Sequence, residues 1–355
     1  MRFERPLPTE DLEYVRRGAV SLWPELRGAR ILMTGATGFF GRWMLESFLL
    51  ANDRYGLGAR VVALSRDPDA FLGAAPHLVG AGIAWVKGSV TALVPEAFDG
   101  EKFDAVIHLS TVSNLEATRA DPRAAINVIT DGTRRVLDIA AHTGARRFLF
   151  TSSGAIYGPQ PAHIESLSES YSGTLDPSDT SAVYAIPGEA KRQAELLCIA
   201  RAHADGLGAV IARCFTFAGP GLPTESKFAF GNFMRDALSG GPITIKGDGT
   251  AVRSYLYAAD LTIWLWTLLF KGAPGRAYNV GSERPVTMRN LAEIISKELG
   301  VAGIAVLQPA KPGTNPERYV PSTLRAREEL GLSEGFGLPE MIQRTAAWHR
   351  ATVQR

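Results

Sequence analysis

Short apolar runs and amphipathic stretches alternate along the first two thirds of this 355-residue chain. Six runs rich in β-branched and other apolar residues, at 31–34, 60–64, 83–86, 105–109, 148–151 and 209–213, read as buried strands. Between them lie segments whose apolar residues recur at helical spacing, such as 43–50 and 124–141. Strands alternating with helices predict a parallel sheet covered on both faces. After residue 214 the regularity weakens: Gly, Pro and aromatic residues crowd 215–249, and helices are expected again at 288–299 and 338–351. A smaller second lobe beside the carboxyl edge of the sheet would form the crevice where open α/β sheets bind ligands. The division expected is 1–29 as a charged N-terminal extension with a helix over 11–17, then 30–213 as the sheet domain with 255–283 returning to it. Residues 214–254 and 284–355 would build the second lobe.

Composition narrows the class. With 46% hydrophobic, 21% charged and 9% aromatic residues the chain is globular rather than disordered. Thirty-eight Lys and Arg against 36 Asp and Glu leave a scattered net charge of +2, which argues against nucleic-acid and membrane-surface partners. The longest uncharged apolar run, 261–270, is about half the ~20 residues a bilayer requires and reads as a buried helix. The N-terminal residues Arg2, Glu4, Arg5, Glu10, Asp11 and Glu13 leave no apolar signal-peptide stretch. The two cysteines, Cys198 and Cys214, sit in apolar surroundings and imply core packing in a reducing compartment, so a cytoplasmic location is expected. The six histidines are scattered, and no metal site is expected. Tyr255, Tyr257, Trp264 and Trp266 read as core packing.

The first candidate chemistry follows the first strand. Ile31-Leu32-Met33-Thr34 runs into Gly35-Ala36-Thr37-Gly38-Phe39-Phe40-Gly41, and 42–50 continues as an apolar-rich helix. A pyrophosphate needs a tight turn without Cβ atoms, bare backbone N–H groups and the field of a helix N-terminus, and this segment offers all three. Gly35, Thr37, Gly38, Phe39, Phe40 and Gly41 are therefore candidate dinucleotide contacts.

The spacing Gly-x-x-Gly-x-x-Gly resembles the extended short-chain dehydrogenase/reductase family. Further blocks resemble its nucleotide-sugar epimerase/dehydratase branch: Val106-Ile107-His108-Leu109, Asn127-Val128 with Gly132-Thr133, and Thr151-Ser152-Ser153-Gly154-Ala155-Ile156-Tyr157-Gly158. So do Arg213-Cys214-Phe215 with Gly219-Pro220, Gly247-Asp248-Gly249, Arg253-Ser254-Tyr255-Leu256-Tyr257 with Asp260, and Tyr278-Asn279-Val280-Gly281. The resemblance runs from about residue 30 to the end. It implies a Rossmann-type doubly wound parallel sheet with a smaller α/β C-terminal substrate lobe. It also implies an NAD(P)-dependent enzyme acting on a nucleotide-diphosphate sugar, and a homodimer formed through the helices at 124–141 and 188–203. Ala140, Ala141, Ala194, Leu197 and Ala200 would let those helices approach closely, although interior packing explains them as well.

Where NAD-using relatives place a carboxylate against the adenine ribose, this chain has Ser65 and Arg66. The absent carboxylate and the arginine fork favour NADP over NAD, with an exposed arginine neutralised by Asp67 or Asp69 as the alternative. Ser89 stands where relatives carry an adenine-binding aspartate, followed by Val90. Leu109, Ser110 and Thr111 complete the cofactor set.

The resemblance further implies a Ser, a Tyr and a Lys around the nicotinamide, the lysine lowering the phenol toward operating pH. Ser153 and Lys191 match. Four residues before Lys191 stands Pro187 instead of tyrosine, and the nearest tyrosine is Tyr184. Seven residues along a continuous helix separate side chains by roughly 10 Å, too far for direct coupling. Either Ala185-Ile186-Pro187 is an insertion, with the helix starting near Pro187 and Tyr184 folding back, or the acid/base has been replaced. The first is the working expectation.

Gly154 and Ala155 occupy positions where dehydratases of this branch carry Asp-Glu, and the glutamate usual in decarboxylating relatives is absent. Hydride transfer at sugar C4 remains: a 4-epimerase or a 4-ketoreductase. A dehydratase or decarboxylase with displaced acid–base groups stays open, as does a non-catalytic binder of dinucleotide and sugar nucleotide. Ser113, Thr216, Asn232, Arg253 and Arg318 are the substrate-binding candidates. Glu165, Glu169 and Tyr171 read as a flexible acidic surface loop.

Overall fold

The computed structural model describes residues 5–80, 82–112, 115–173, 185–225, 228–310, 313 and 315–353. Its strands in chain order are β1 Arg30–Thr34, β2 Arg60–Ser65, β3 Ile83–Lys87, β4 Ala105–His108, β5 Arg147–Ser153, β6 Gly208–Cys214 and β7 Phe217–Ala218. They continue with β8 Ile243–Ile245, β9 Val252–Arg253, β10 Leu256–Tyr257, β11 Ala277–Val280, β12 Val286–Thr287, β13 Ile304–Val306 and β14 Arg318–Tyr319. The helices are α1 Thr9–Gly18, α2 Phe39–Tyr55, α3 Pro68–Ala74, α4 Leu115–Ala120, α5 Pro122–His142, α6 Ala185–Asp205, α7 Ala229–Leu238, α8 Ala258–Lys271, α9 Met288–Leu299, α10 Leu324–Leu330 and α11 Leu338–Val353.

Seven strands pair in the order β11-β6-β5-β4-β1-β2-β3, all parallel. All six strands expected from the apolar runs are present, and the seventh, β11, comes from the stretch 255–283. Parallel strands buried on both faces need near-continuous apolar runs, and β4 is buried at every position. The strand order reverses between β1 and β4, where Thr34 and His108 are paired, and this opens a crevice at the carboxyl ends. On one face, Ile129, Val136, Leu137 and Ile139 of α5 pack with Ala190, Ala194 and Cys198 of α6 against β4, β5 and β6. On the other, α2 and α8 pack on the sheet; the apolar run 261–270 lies within α8, where Trp266 meets Trp23 edge to face at 5.6 Å. Both cysteines are buried thiols.

The N-terminal segment packs tightly. Leu7, Leu12, Val15, Leu22, Trp23 and Leu26 join the main core, and α1 lies on α2 and α8. Asp11, fully buried, accepts hydrogen bonds from the Tyr257 hydroxyl and the Arg344 guanidinium, each at 2.6 Å, and burial still raises its carboxyl pKa. Asp260 accepts from the Tyr14 hydroxyl and the Gly335 N–H, both at 2.9 Å, and burial pushes its pKa up to about 6. The Trp348 indole donates to the Pro6 carbonyl at 3.0 Å.

The later segments build a three-stranded sheet, β12-β9-β14, and two strand pairs, β10-β7 and β13-β8. The segment read as a flexible acidic loop is in part anchored. The Glu169 side chain is 4% exposed and its carboxylate accepts the Asn279 N–H at 2.8 Å, while Tyr171 packs against Tyr157; Glu165 is exposed. That correction reflects burial: once Glu169 lies under β11, the backbone N–H of Asn279 supplies the donor that a desolvated carboxylate requires.

Candidate active site

The phosphate cradle forms at the end of β1. Gly35 has φ +70°, and a Cβ there would lie 2.6 Å from the Leu109 carbonyl carbon, so both backbone conformation and the closeness of β4 demand glycine. At Gly41 a Cβ would lie 2.5 Å from backbone atoms of Ala36, which is what lets α2 start close to the strand. Gly38, exposed, caps the 17-residue α2, leaving the first N–H groups of Phe39 and its neighbours facing the crevice mouth. Thr37 and Phe40 are half-buried. These residues fit a dinucleotide pyrophosphate.

Beside the cradle, His108 is fully buried between the Thr34 hydroxyl at 2.6 Å and the Thr133 hydroxyl at 3.1 Å. Burial, helped by Lys191, pushes its pKa down to about 3, so the ring is a neutral strut between β1, β4 and α5. Leu109 is buried behind Gly35, Ser110 is half-buried and Thr111 exposed; Ser113 lies outside the described residues.

On the adenine side, the buried Ser65 hydroxyl accepts the Asp67 N–H at 3.2 Å, and the Asp67 carboxylate caps α3 through the Ala70 N–H at 3.1 Å. Arg66 is exposed, and among the described residues no carboxylate pairs with it. The Ser89 hydroxyl shares a hydrogen bond with that of Thr91 at 2.9 Å, and Val90 is buried against Gly132.

Ser153 ends β5 half-buried, its Oγ accepting the Ala155 N–H at 3.1 Å. Lys191 reaches the same strand from α6: its buried Nζ donates to the Thr151 carbonyl at 2.6 Å and lies 4.5 Å from the centre of the Phe150 ring. Burial pulls its pKa down to about 8. The helix α6 begins at Ala185, two residues earlier than expected, so Ala185 and Ile186 belong to its first turn. Pro187 is also within that turn, where the missing N–H interrupts no intrahelical bond. Tyr184 lies outside the described residues.

Under the Ser153 loop runs a polar network that sequence patterns did not reveal. Buried Glu195 accepts from the Ser152 hydroxyl and from Arg213 at 2.7 Å; Arg213 also donates to the Tyr157 hydroxyl at 2.9 Å, which donates to Asn279 Oδ1 at 2.8 Å. Burial pushes the Tyr157 phenol up to about 12. The available signal was charge in apolar surroundings, Glu195 on α6 and Arg213 on β6.

In the second lobe, β9 and β14 run parallel with Arg318 paired to Val252 and Tyr319 to Arg253, so Arg253 and Arg318 lie on opposite faces of this strand pair and are not brought together. Arg253 pairs with Glu317 at 2.5 Å, and Arg318 Nε donates to the Glu165 carbonyl at 2.9 Å. Thr216 donates its hydroxyl to the carbonyl of Ser254, the residue after Arg253. Asn232 stands on α7, its side-chain oxygen 3.5 Å from Arg235 of the same helix. A residue missed at first is Tyr319, beside Ser153. Among the described residues no group of three or more His, Cys, Asp or Glu side chains could hold a metal ion.

Comparison with known proteins agrees with this architecture. Residues 31–281 match the model of the NAD dependent epimerase/dehydratase family. UDP-glucuronic acid decarboxylase 1 of Arabidopsis thaliana is 26% identical over 335 residues, covering 92% of this chain and 72% of that protein. The dTDP-glucose 4,6-dehydratase of Streptomyces niveus is 26% identical over 326 residues, covering 90% of this chain and 93% of that protein. The solved structure of UDP-glucose 4-epimerase from Thermotoga maritima shares the fold, with a TM-score of 0.78 at 20% identity over 92% of this chain and 100% of that one. With glycine turn, strand order and family match in accord over most of its length, the chain belongs to the NAD dependent epimerase/dehydratase family.

Proposed function

We propose that the protein moves a hydride at C4 of a nucleotide-diphosphate sugar, as a 4-epimerase or 4-ketoreductase. The observation that carries this is the loop after Ser153: Gly154 and Ala155 offer no ionisable group. The nearby carboxylates are also committed, Glu195 to Ser152 and Arg213, and Glu169 to the Asn279 N–H. Dehydration and decarboxylation, named beside 4-epimerisation among the similar proteins, would both use an acid–base group that Gly154 and Ala155 do not supply. Bound nicotinamide would supply the hydride acceptor and donor. In this reading Ser153 donates a hydrogen bond to the C4 oxygen, Tyr184 carries the proton, and Lys191 holds the nicotinamide ribose and lowers the phenol. Arg253 and Arg318 are the candidate diphosphate contacts, and Ser113, Thr216 and Asn232 the candidate contacts to nucleotide and sugar.

The test is incubation of the protein with NAD or NADP and UDP- or dTDP-hexoses, and with a UDP-hexuronic acid. The expected product is the C4 epimer or, from a 4-keto sugar and reduced cofactor, the C4 alcohol. Release of carbon dioxide or of a 4-keto-6-deoxy sugar would replace this reading with the competing one. Tight binding without turnover would favour a non-catalytic role.

Two finer proposals accompany it. Unpaired Arg66 favours NADP(H): it should raise the melting temperature more than NAD(H), by a difference on the order of 1–3 kcal/mol that Arg66→Ala removes. Equal shifts, indifferent to the substitution, would refute it. The adjoining helices α5 and α6 leave Ile126 and Leu196 exposed, and two copies of the chain are proposed to pair through them. Light scattering at micromolar concentration should then give a dimer mass, and a ~38 kDa monomer would exclude the pairing.

A further inference from the structure

Residues 5–7 are not candidate ligand contacts, yet they grip the helix that carries the phosphate cradle. Arg42 and Glu46, a turn apart near the start of α2, form a buried ion pair at 2.7 Å. A charge pair taken out of water persists when its remaining donors and acceptors are filled, and the N-terminal segment fills them. The Leu7 N–H donates to Glu46 Oε2 at 2.7 Å, and the Arg42 guanidinium donates to the Arg5 carbonyl. Arg42 Cζ lies 5.4 Å from the centre of the Trp348 ring, whose indole N–H holds the Pro6 carbonyl. The buried Leu7 side chain also meets the first residue of α2 and the turn after β7: a Cβ on Gly221 would lie 3.9 Å from Leu7 Cδ2 and 4.0 Å from Phe39 Cδ2.

Arg42 is the link to the cradle. Its own N–H donates to the Gly38 carbonyl at 2.9 Å, closing the turn whose free N–H groups, at Phe39 and Phe40, a pyrophosphate needs. A guanidinium anchored to residues 5–7 therefore fixes where that turn sits. We propose that residues 5–7 form a strap which, through the Arg42–Glu46 pair, positions the first turn of α2, so that strap docking and binding of a dinucleotide pyrophosphate favour each other. Arg42 and Glu46 are then positioning residues. Such coupling is reciprocal: the factor by which the docked strap raises cofactor affinity is the factor by which bound cofactor raises strap docking. This rests on the cradle holding a dinucleotide, as in the proposed function, and on no step of the reaction.

The test is Glu46→Gln in the full chain, which keeps the size of the side chain and removes its charge. Titrations with NADH and NADPH, well below the melting temperature, should show both dissociation constants raised about tenfold, the equivalent of one charge-assisted hydrogen bond. In wild type, bound cofactor should slow hydrogen exchange at the Leu7 amide and along α1, and in Glu46→Gln it should not. Ile139→Ala, in α5 on the opposite face of the sheet, is the control: it should lower the melting temperature and leave both constants unchanged. Unchanged constants in Glu46→Gln, an equal loss in Ile139→Ala, or no exchange protection in wild type would overturn the coupling. Should Glu46→Gln fail to fold, Trp348→Phe withdraws the indole N–H from the Pro6 carbonyl and takes the same readings, with a loss of about threefold expected and unchanged constants counting against the coupling. Absence of dinucleotide binding by wild type would instead overturn the ligand assigned to the cradle, and the coupling with it.

Discussion

Lys191→Met is expected to slow hydride transfer strongly and, at pH 7, to make the cofactor-free protein more stable. The lysine is 4% exposed, and the polar partner of its ammonium is the Thr151 carbonyl. Burial lowers its pKa from 10.5 to about 8 in the folded protein. Between those two values the unfolded chain binds the proton that the folded protein has released, so stability climbs as pH rises from about 8 to 10.5; below about 8 the full cost of the buried charge applies. At ~1.4 kcal/mol per pKa unit that cost is on the order of 3 kcal/mol. Leaving the Thr151 carbonyl without its donor returns about 1 kcal/mol, so the variant should gain roughly 2 kcal/mol at pH 7. By pH 10.5 little of the charge cost remains while the lost hydrogen bond persists, so the gain should turn into a small loss, under about 1 kcal/mol. Turnover should fall by about 10²–10⁴, because in the proposed function the phenol loses the cation that tunes it. Melting curves at the two pH values, beside a turnover assay, check both signs; a variant that melts below wild type at pH 7 would contradict the buried-charge argument.

Tyr184→Phe should lower turnover on the order of 10³-fold and leave cofactor affinity intact if, as proposed, the phenol acts on the reacting oxygen alone. A general base needs a pKa near the working pH. Around Ser153 the described phenols Tyr157 and Tyr319 are both pushed up by burial, and the Tyr157 hydroxyl is already held by Arg213 and Asn279. Neither suits the task. Tyr184 directly precedes the first residue of α6, the helix that brings Lys191 to β5. Single-turnover measurements, with cofactor titrations alongside, separate chemistry from binding. Full activity in the variant would mean that the acid/base has been replaced rather than shifted along the chain.

The sheet was legible because a strand buried on both faces must be apolar throughout, and such runs stand out between helical segments. The strand–glycine–helix turn was legible for a related reason: Gly35 and Gly41 answer to backbone geometry that no other residue satisfies. The second lobe was less so. Strands of two residues, such as β9 and β14, span a single period of strand alternation, too little for a pattern to stand out. Contacts between distant polar residues left no local mark either, so neither the Glu195–Arg213–Tyr157–Asn279 network nor Tyr319 beside Ser153 could be read from spacing. Gly154 illustrates the difference: in the sequence it is an acid not present, and in the structure it is the space into which Tyr319 fits.

The anchoring of α1 bears on the order in which the chain can assemble. Asp11 is fully buried, and one of its partners, Arg344, lies 333 residues away; the Pro6 carbonyl and the Trp348 indole are 342 apart. A nascent chain leaving the ribosome carries α1 long before α11 exists. Until then the Asp11 carboxylate keeps its water, since burying it half-paired would cost several kcal/mol. Among the described helices α1 is thus made early yet completes its docking only after α11 has formed.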